Sequence, residues 1–396
     1  MSTHVQFGVD RLCGNPSLLA GARRVALVTN DAARLAADTT ALSRVAMLDA
    51  GVPLVRLFGP EHGLSATAAD GAAVPDDFDT RTGLPVVSLY GHHMRPTAES
   101  LRDVDAVLYD IPDVGARFYT YTWTLYHVLA ACEDAGVPVV VLDRPNPLGG
   151  ELSQAEGPML DLATRSFVGE DVIPVRHQLT LGELARLWQR ERFPAVALTV
   201  VRCAGWRRAM HWTDTGLTWV PTSPAMPTYD SARCYPGLCL FEATNLSVGR
   251  GTDGPFQWVG APWLDSARVL QAIARLSPNT GCTAQHFTPT MAPYKGELCQ
   301  SIQVNRATAS RPGIVALGLL LMAAIASTHD GQFQWAAYPT AANPGGTGHF
   351  ERLVGRRDIR AVFESTPDAI DAAVVARWTT VDGWGERVRE VLCYAS

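Results

Sequence analysis

The run Val104-Asp-Ala-Val-Leu-Tyr-Asp110, which continues into Ile111-Pro-Asp-Val-Gly115, is apolar in its centre and ends abruptly in polar and turn-forming residues. Comparable runs occur at Arg24-Val-Ala-Leu-Val-Thr-Asn30, Val52-Pro-Leu-Val-Arg-Leu-Phe58 and Pro138-Val-Val-Val-Leu142. Helical patterns such as the one at residues 124–135 separate them. Short apolar runs between helices are typical of parallel strands buried on both faces. The sequence therefore predicts an α/β fold with a Rossmann-like parallel sheet in its N-terminal part.

Polar residues follow the C-terminal ends of these predicted strands. Gly59-Pro-Glu-His-Gly63 follows the second strand, Asp113 follows the third, and Asp143-Arg-Pro-Asn-Pro147 follows the fourth. In open α/β sheets, ligands bind outside the carboxyl ends of the strands. We therefore expect these loops to form one binding site, with ordinary polar surface turns as the alternative for any single loop.

The chain of 396 residues is too long for one ordinary hydrophobic core, so two domains are expected. Residues 219–236 are rich in proline and lack periodicity, which places the junction near residue 228. We predict a Rossmann-like catalytic domain at residues 1–228 and a smaller α+β domain at residues 229–396 that closes the cleft. The elements expected in the second domain are helices at 265–276, 313–327 and 367–377 and a strand around 301–305.

The composition argues against several classes of function. The formal net charge is -6 and no Lys/Arg block occurs, whereas nucleic-acid-binding proteins carry a basic patch. The eight cysteines form no Cys-x-x-Cys pair and no His-x-x-x-His spacing occurs, so we expect neither a metal nor a redox dithiol. We also expect no cofactor, because Gly249-Arg-Gly-Thr-Asp-Gly254 is followed by Pro255 and Phe256 rather than by the helix of a dinucleotide fingerprint. That segment is better interpreted as a rigid loop that presents Arg250.

The sequence also lacks membrane signals. Residues 1–6 contain no basic patch followed by an apolar run, and the longest apolar stretch, residues 313–326, is too short to span a bilayer. We expect a soluble cytoplasmic protein, with a signal peptide lost through a mis-assigned start codon as the alternative. The sequence does not predict the oligomeric state.

The loop Gly59-Pro-Glu-His-Gly63 supplies the leading candidate for acid catalysis. Pro60 stiffens the loop and Gly63 permits a tight turn, so Glu61 and His62 are held at a defined angle. A carboxylic acid near apolar surface can protonate a leaving oxygen. Glu61 is therefore a candidate general acid, with a surface glutamate in a turn as the alternative.

The segment Asp110-Ile-Pro-Asp-Val-Gly-Ala-Arg-Phe-Tyr-Thr-Tyr121 places two carboxylates, a guanidinium and three aromatic rings close together. Sugar sites combine aromatic platforms with charged hydrogen-bonding groups of these kinds. An Asp113–Arg117 ion pair, spaced i, i+4 on a helix, is the structural alternative. Asp143, Arg144 and Asn146 offer similar groups in the next loop.

An ordered set of motifs makes the chain recognisable. The motifs are Leu57-Phe-Gly-Pro-Glu-His-Gly63, Thr82-Gly-Leu-Pro-Val-Val-Ser-Leu-Tyr-Gly91, Asp113-Val-Gly-Ala-Arg-Phe-Tyr-Thr-Tyr121, Leu142-Asp-Arg-Pro-Asn-Pro147, Glu156-Gly-Pro158, Pro174-Val-Arg-His177, Pro224-Ala-Met-Pro-Thr228, Tyr235-Pro-Gly237, Thr244-Asn245, Gly249-Arg-Gly-Thr252 and Gly260-Ala-Pro-Trp263. In this order, from about residue 21 to residue 394, the chain resembles the exo-β-N-acetylmuramidase (NamZ) family, glycoside hydrolase family 171, formerly a domain of unknown function.

The resemblance implies a Rossmann-like domain, a smaller C-terminal domain and an active-site cleft between them. It also implies release of N-acetylmuramic acid (MurNAc) from the non-reducing end of MurNAc-GlcNAc fragments of peptidoglycan, in cell-wall turnover and recycling. Glu61 matches the family's leading catalytic candidate. Glycoside hydrolysis usually needs a second carboxylate, for which we expect Asp113 or Asp143, or a substrate-assisted route in which one of them orients the 2-acetamido group.

The remaining expected site residues are assigned to substrate binding. Arg117, Arg144, Arg176 and Arg250 are the candidates for pairing with the lactyl carboxylate of MurNAc. The other expected binding residues are His62, Tyr119, Tyr121, Asn146, His177 and Asn245.

The chain departs from the family pattern at several positions. It reads Leu64-Ser-Ala66 where the family carries Arg-Gly, Val248 where the family has Glu, and Gly254 and Gln257 where the family has Arg and Glu. If the glutamate replaced by Val248 were the second catalytic carboxylate, activity would be lost or altered. The alternative function is therefore a non-catalytic muropeptide-binding sensor or carrier with a degenerate active site.

Overall fold

The computed structural model describes residues 4–278, 280–305 and 313–395. The first three residues, on which the interpretation of the N-terminus partly rests, lie outside the described residues. The strands are β1 Val25–Thr29, β2 Leu54–Gly59, β3 Asp77–Asp79, β4 Leu84–Ser88, β5 Ala106–Asp110, β6 Val139–Leu142, β7 Glu156–Met159, β8 Pro174–Arg176, β9 Leu198–Val201, β10 Trp258–Ala261, β11 Cys282–Phe287 and β12 Cys299–Val304. The α-helices are α1 Gly8–Gly14, α2 Ser43–Asp49, α3 Ala98–Leu101, α4 Thr120–Ala135, α5 Leu181–Glu191, α6 Tyr229–Leu238, α7 Ser266–Leu276, α8 Ile314–Thr328, α9 His349–Val354, α10 Arg357–Ser365, α11 Ala372–Thr379 and α12 Trp384–Val388.

The four predicted strands lie side by side in the centre of one sheet. Its order is β3-β4-β2-β1-β5-β6-β9, and every neighbouring pair is parallel except β3 with β4. The α/β prediction and the parallel arrangement of β2, β1, β5 and β6 are thus confirmed. The sequence analysis missed β4 and β9, which extend the sheet on either side.

The side chains of the central strands alternate between two apolar layers. In β1, Ala26 and Val28 pack into one hydrophobic cluster, whereas Val25 and Leu27 pack into the other. Successive side chains on a strand point to opposite faces, and helices cover both faces of this sheet. The near-continuous apolar runs seen in the sequence are the direct consequence of this double burial.

The C-terminal part is built on a three-stranded antiparallel sheet of order β10-β12-β11, with α7 packed against it. The apolar helix α8 packs between α7 and α6. α6 and α8 approach so closely that a Cβ atom on Gly318 would lie 2.3 Å from the carbonyl oxygen of Gly237. The predicted helix at 367–377 is divided into a 3₁₀ turn, Pro367–Ala369, and α11. The boundary at residue 228 stays a prediction, and α6 begins directly after it.

Glu156 joins the two parts of the chain. It begins β7 in the first part, and its carboxylate accepts hydrogen bonds from the backbone N–H groups of Gly313 (3.1 Å) and Ala316 (2.6 Å) at the start of α8. A carboxylate at a helix N-terminus satisfies N–H groups that have no partner within the helix. The Glu156-Gly-Pro158 motif therefore has a structural role.

The end of the chain returns to the parallel sheet. The Tyr394 hydroxyl donates to Asp143 and accepts from the backbone N–H of Cys203 (2.9 Å), while the backbone N–H of Cys393 donates to Glu183 (2.8 Å). Glu183 is also the partner of Thr180 in the capping box that opens α5. Within the described residues, no helix combines the length and hydropathy needed to cross a bilayer.

We predict that Tyr394→Phe destabilises the fold by about 1–3 kcal/mol, because Asp143 and the Cys203 N–H each lose a buried hydrogen-bond partner. The measurement is urea unfolding at pH 7.5. Tyr126→Phe is the matched control, since Tyr126 is a buried residue whose hydroxyl makes no hydrogen bond with any described residue. Equal stability changes in the two variants would contradict the assigned role of Tyr394.

Candidate active site

A cavity near the sheet lies between the loop that follows β2, the start of α4 and the C-terminal part of the chain. It encloses about 770 Å³, counted out to its open mouth. We call it the main cavity. Glu61, the predicted acid, lines it, and so do His62, Tyr119 and Arg250.

Glu61 is held by donors on both of its oxygens. The backbone N–H of Gly71 donates to Oε1 (2.7 Å), and the hydroxyl of Thr120, the first residue of α4, donates to Oε2 (2.6 Å). The Tyr90 hydroxyl is a further hydrogen-bonding partner of the carboxylate, and burial together with the charge of Glu61 raises the pKa of Tyr90. These donors therefore fix the orientation of the Glu61 carboxylate, and only 8% of the residue is exposed.

The loop geometry orients His62 as well. His62 has a left-handed backbone (φ +67°), and its ring Nδ1–H donates to the carbonyl oxygen of Ala68 at 2.8 Å. Because the carbonyl can only accept, this hydrogen bond places the proton of a neutral ring on Nδ1. Nε2 then faces Asp70 Oδ1 at 3.7 Å. The His62–Ala68 hydrogen bond thus folds the loop back, and Gly71, the neighbour of Asp70, donates to Glu61.

Arg250 links two carboxylates across the main cavity. Its Nε donates to Glu242 Oε1 (2.6 Å) and its Nη1 pairs with Asp70 Oδ2. Asp70 comes from the loop after β2, whereas Glu242 comes from the 3₁₀ turn Cys239–Ala243 in the C-terminal part. Burial raises the pKa of Glu242, and the neighbouring guanidinium opposes that rise. The main cavity thus contains the carboxylates of Glu61, Asp70 and Glu242.

Neither of the expected second acids lines the main cavity. Asp113 accepts from the backbone N–H of Gly115 (2.9 Å) and from Thr122 (3.3 Å), and it lines a separate cavity of about 470 Å³. Burial raises its pKa to about 6. No ion pair forms between Asp113 and Arg117, so the structural alternative is also wrong.

Asp143 has a structural environment. Its carboxylate accepts from the backbone N–H of Gly182 in the first turn of α5 (2.9 Å), from the Thr180 hydroxyl (2.8 Å) and from Tyr394. Burial raises its pKa to about 6. The helix start and the returning chain end therefore occupy this carboxylate, and Asp143 does not line the main cavity.

Of the arginines expected to bind the lactyl carboxylate, Arg250 alone lines the main cavity. Arg117 is fully buried and donates to the carbonyl oxygens of Pro158, Ile173 and Leu353, and burial lowers its pKa to about 9. Arg144 pairs with Asp110 at 2.7 Å, and Arg176 donates to the carbonyl of Leu148 at 2.9 Å. Backbone carbonyls and an internal ion pair therefore hold the guanidiniums of Arg117, Arg144 and Arg176, which the sequence had suggested as groups that bind the substrate.

The remaining expected binding residues divide in the same way. Tyr119 lines the main cavity and donates to Thr222 (2.7 Å). The other four make internal contacts instead: Tyr121 donates to the Thr222 carbonyl, Asn146 donates to the Leu179 carbonyl, His177 is fully buried with its pKa lowered to about 3 by that burial, and Asn245 donates to the Gln332 carbonyl. These four support the loops and do not line the main cavity.

Sequence reasoning missed several residues that do line it, namely Asp70, Tyr90, Glu242, His349 and Arg352. Tyr90 lies within a quoted motif, and Glu242 stands two residues before the Thr244-Asn245 motif, so proximity to motifs was an available signal. Asp70, His349 and Arg352 had no such signal, because contacts over long sequence distances bring them to the site.

The departures from the family pattern lie away from the main cavity. Val248 is 4% exposed and belongs to the hydrophobic core, and neither Gly254 nor Gln257 lines the main cavity. The presence of Val248 in place of the family's glutamate therefore leaves the carboxylates of the main cavity unchanged.

Comparison with known proteins is consistent with this geometry. The family model "Exo-beta-N-acetylmuramidase NamZ, N-terminal" matches residues 25–230, and its C-terminal counterpart matches residues 233–394. The peptidoglycan β-N-acetylmuramidase NamZ of Bacillus subtilis (strain 168) is 38% identical over 364 residues, which cover 91% of this chain and 84% of that protein.

Two crystal structures of DUF1343 family proteins from Bacteroides fragilis NCTC 9343 have the same fold. One has a TM-score of 0.85 at 29% identity and covers 99% of both chains. The other has a TM-score of 0.76 at 26% identity and covers 100% of both chains. The two-part architecture is therefore shared over the full length.

We predict that Arg250→Gln destabilises the protein at pH 7 by roughly 3 kcal/mol, the lower end for a broken buried ion pair because Asp70 is partly exposed. Without the guanidinium, the pKa of buried Glu242 rises further above its value in the unfolded chain. Proton binding then favours the folded state, so the deficit should shrink as the pH is lowered from 7 to 5. Urea unfolding across this range is the measurement. The double variant Arg250→Gln/Glu242→Gln should lose that pH dependence, and a deficit that does not change with pH would contradict the pairing.

Proposed function

The chain belongs to the NamZ family of exo-β-N-acetylmuramidases, and we propose that Glu61 and Glu242 are the two carboxylates that act on its substrate. The protein is a glycoside hydrolase that releases terminal MurNAc from peptidoglycan fragments. The observation that carries the residue assignment is the presence of both buried carboxylates in one cavity between the two parts of the chain. Nothing in the family comparisons supports the alternative of a non-catalytic sensor.

Glu61 is proposed as the general acid. The glycosidic bond between C1 of MurNAc and the leaving oxygen breaks as Glu61 transfers its proton to that oxygen. A water molecule then gives its hydroxyl to C1 and its remaining proton to one of the two carboxylates, which balances the proton that Glu61 has lost. Gly71, Thr120 and Tyr90 fix the carboxyl group, so little reorganisation is needed before proton transfer. Aromatic rings in the lining, including Tyr119 and Tyr235, offer apolar surface to the faces of the sugar.

Glu242 is proposed as the second carboxylate. Glycosidases use this group as a nucleophile, as a base for water, or to orient the 2-acetamido group in a substrate-assisted reaction. Each role requires a negative charge beside the anomeric carbon, where positive charge develops in the transition state. Arg250 keeps Glu242 paired and correctly oriented, and Asp70 shares the same guanidinium.

We expect Glu61→Gln to reduce the turnover of MurNAc-GlcNAc by about 10²–10⁴-fold, the usual contribution of general acid catalysis. A nitrophenyl β-MurNAc glycoside should lose much less activity, because nitrophenolate leaves without protonation. Steady-state kinetics on both substrates is the measurement. Equal losses on the two substrates would contradict the acid role, whereas a wild-type protein that binds MurNAc-GlcNAc but cleaves neither substrate would favour the sensor alternative.

Glu242→Gln should reduce the turnover of both substrates by similar factors, because the second carboxylate acts at the anomeric carbon whatever the leaving group. Asp113→Asn is the matched control: it changes a buried carboxylate outside the main cavity and should retain activity on both substrates. If Asp113→Asn lost activity while Glu242→Gln kept it, the second acid would have been assigned to the wrong residue.

A further inference from the structure

Helix α9 presents two polar side chains to the main cavity. His349 and Arg352 are spaced i, i+3, so they lie on the same side of the helix, and both line the cavity. The apolar residues Phe350 and Val354 pack into the hydrophobic core and anchor the helix. α9 also packs against the 3₁₀ turn that carries Glu242. The polar side of α9 therefore borders the proposed reaction centre.

Arg352 is a cation whose guanidinium has no partner among the residues that the structure describes. Its guanidinium makes no hydrogen bond or ion pair with any residue in the described ranges. Arg250, the other arginine in the main cavity, is committed to Asp70 and Glu242. The cavity thus offers one positive charge that remains available to an anionic group of a ligand.

His349 shows a second unmet interaction at the same place. It is 7% exposed and stacks on Tyr338 (ring centroids 4.6 Å apart, planes at 12°), yet its Nε2 has no hydrogen-bond partner among the described residues. Burial and the nearby charge of Arg352 lower the pKa of His349 to about 4, so the ring is neutral at pH 7. Buried polar atoms are nearly always paired, so an unpaired Nε2 in a cavity wall points to a ligand atom.

We propose that Arg352 binds the lactyl carboxylate of MurNAc and that His349 Nε2 lies beside it as a hydrogen-bonding group. This inference rests on the proposed function, because the lactyl carboxylate is the anionic group that distinguishes MurNAc from GlcNAc. A guanidinium can pair with a carboxylate through two parallel hydrogen bonds, which selects for geometry as well as charge. Arg352 then takes the specificity role that the sequence assigned to other arginines.

Arg117 acts as a positioning residue for this element. Its buried guanidinium donates to the carbonyl oxygen of Leu353 (2.8 Å) near the end of α9. It also donates to the carbonyl oxygens of Pro158 in β7 and of Ile173, which directly precedes β8. It therefore fixes α9 relative to this pair of strands in the N-terminal part. Gly355 follows with φ +76°, and a Cβ atom there would lie 2.6 Å from Arg117 Nη2. This contact requires glycine and holds Arg352 at the cavity wall.

The test compares Arg352→Gln with Arg356→Gln. Arg356 follows the same helix but pairs with Asp358 outside the main cavity, so it is the matched control. We measure kcat and KM on nitrophenyl β-MurNAc and β-GlcNAc glycosides. Arg352→Gln should raise KM for the MurNAc substrate by about 10- to 100-fold, as expected for loss of a charge-assisted hydrogen bond, and should lower by a similar factor the ratio of kcat/KM on the MurNAc substrate to kcat/KM on the GlcNAc substrate. Arg352→Lys should restore part of the loss, and Arg356→Gln should resemble the wild type.

A binding measurement separates failure of this inference from failure of the proposed function. Calorimetry with free MurNAc and free GlcNAc should show that Arg352→Gln loses the preference for MurNAc, whether or not the protein cleaves glycosides. Retention of that preference in an active enzyme would overturn the role of Arg352 and leave the hydrolase assignment intact. A wild-type protein that cleaves neither glycoside would count against the proposed catalytic residues, while the binding preference would still decide the role of Arg352.

Discussion

Arg250 pairs with Asp70 from one part of the chain and with Glu242 from the other, and the active site depends on this pairing. Burying charged groups is costly unless each one is paired, so the two carboxylates and the guanidinium must come together as the protein folds. Gly71, next to Asp70, donates to Glu61. One set of contacts therefore fixes the approach of the two parts of the chain and the placement of both proposed catalytic carboxylates.

A second buried guanidinium, that of Arg117, also joins separate segments of the chain. Its partners are carbonyl oxygens instead of carboxylates. Its two terminal nitrogens donate to carbonyl oxygens of three separate segments, whereas its buried Nε has no hydrogen-bond partner among the described residues. Its lowered pKa reflects the cost of this burial. The result is a rigid α9, on which His349 and Arg352 face the cavity. Arg250 holds the acids, and Arg117 holds the wall that we propose selects the sugar.

The other acids at the rim of the parallel sheet serve the fold. Asp110 pairs with Arg144, Asp143 accepts from the first turn of α5, and Asp113 accepts from its own loop and from α4. A buried carboxylate needs hydrogen-bond donors, and at these three positions other groups of the protein supply them. The active site that we propose therefore lies at the end of β2, away from the centre of the rim, and residues of the C-terminal part complete it.

The sequence by itself determined the features that depend on local patterns. Burial of the central strands on both faces requires apolar runs, which the sequence shows. Thr180 and Glu183 have the spacing of the capping box that opens α5. The loop around Glu61 has the proline and the glycine that its turn requires. The tertiary structure alone decided which charged groups face Glu61, because Arg250 and Asp70 are 180 positions apart and Arg117 and Leu353 are 236 apart. Whether a buried charge supports the fold or serves a ligand depends on the donors and acceptors that packing places around it. Local sequence does not carry that information.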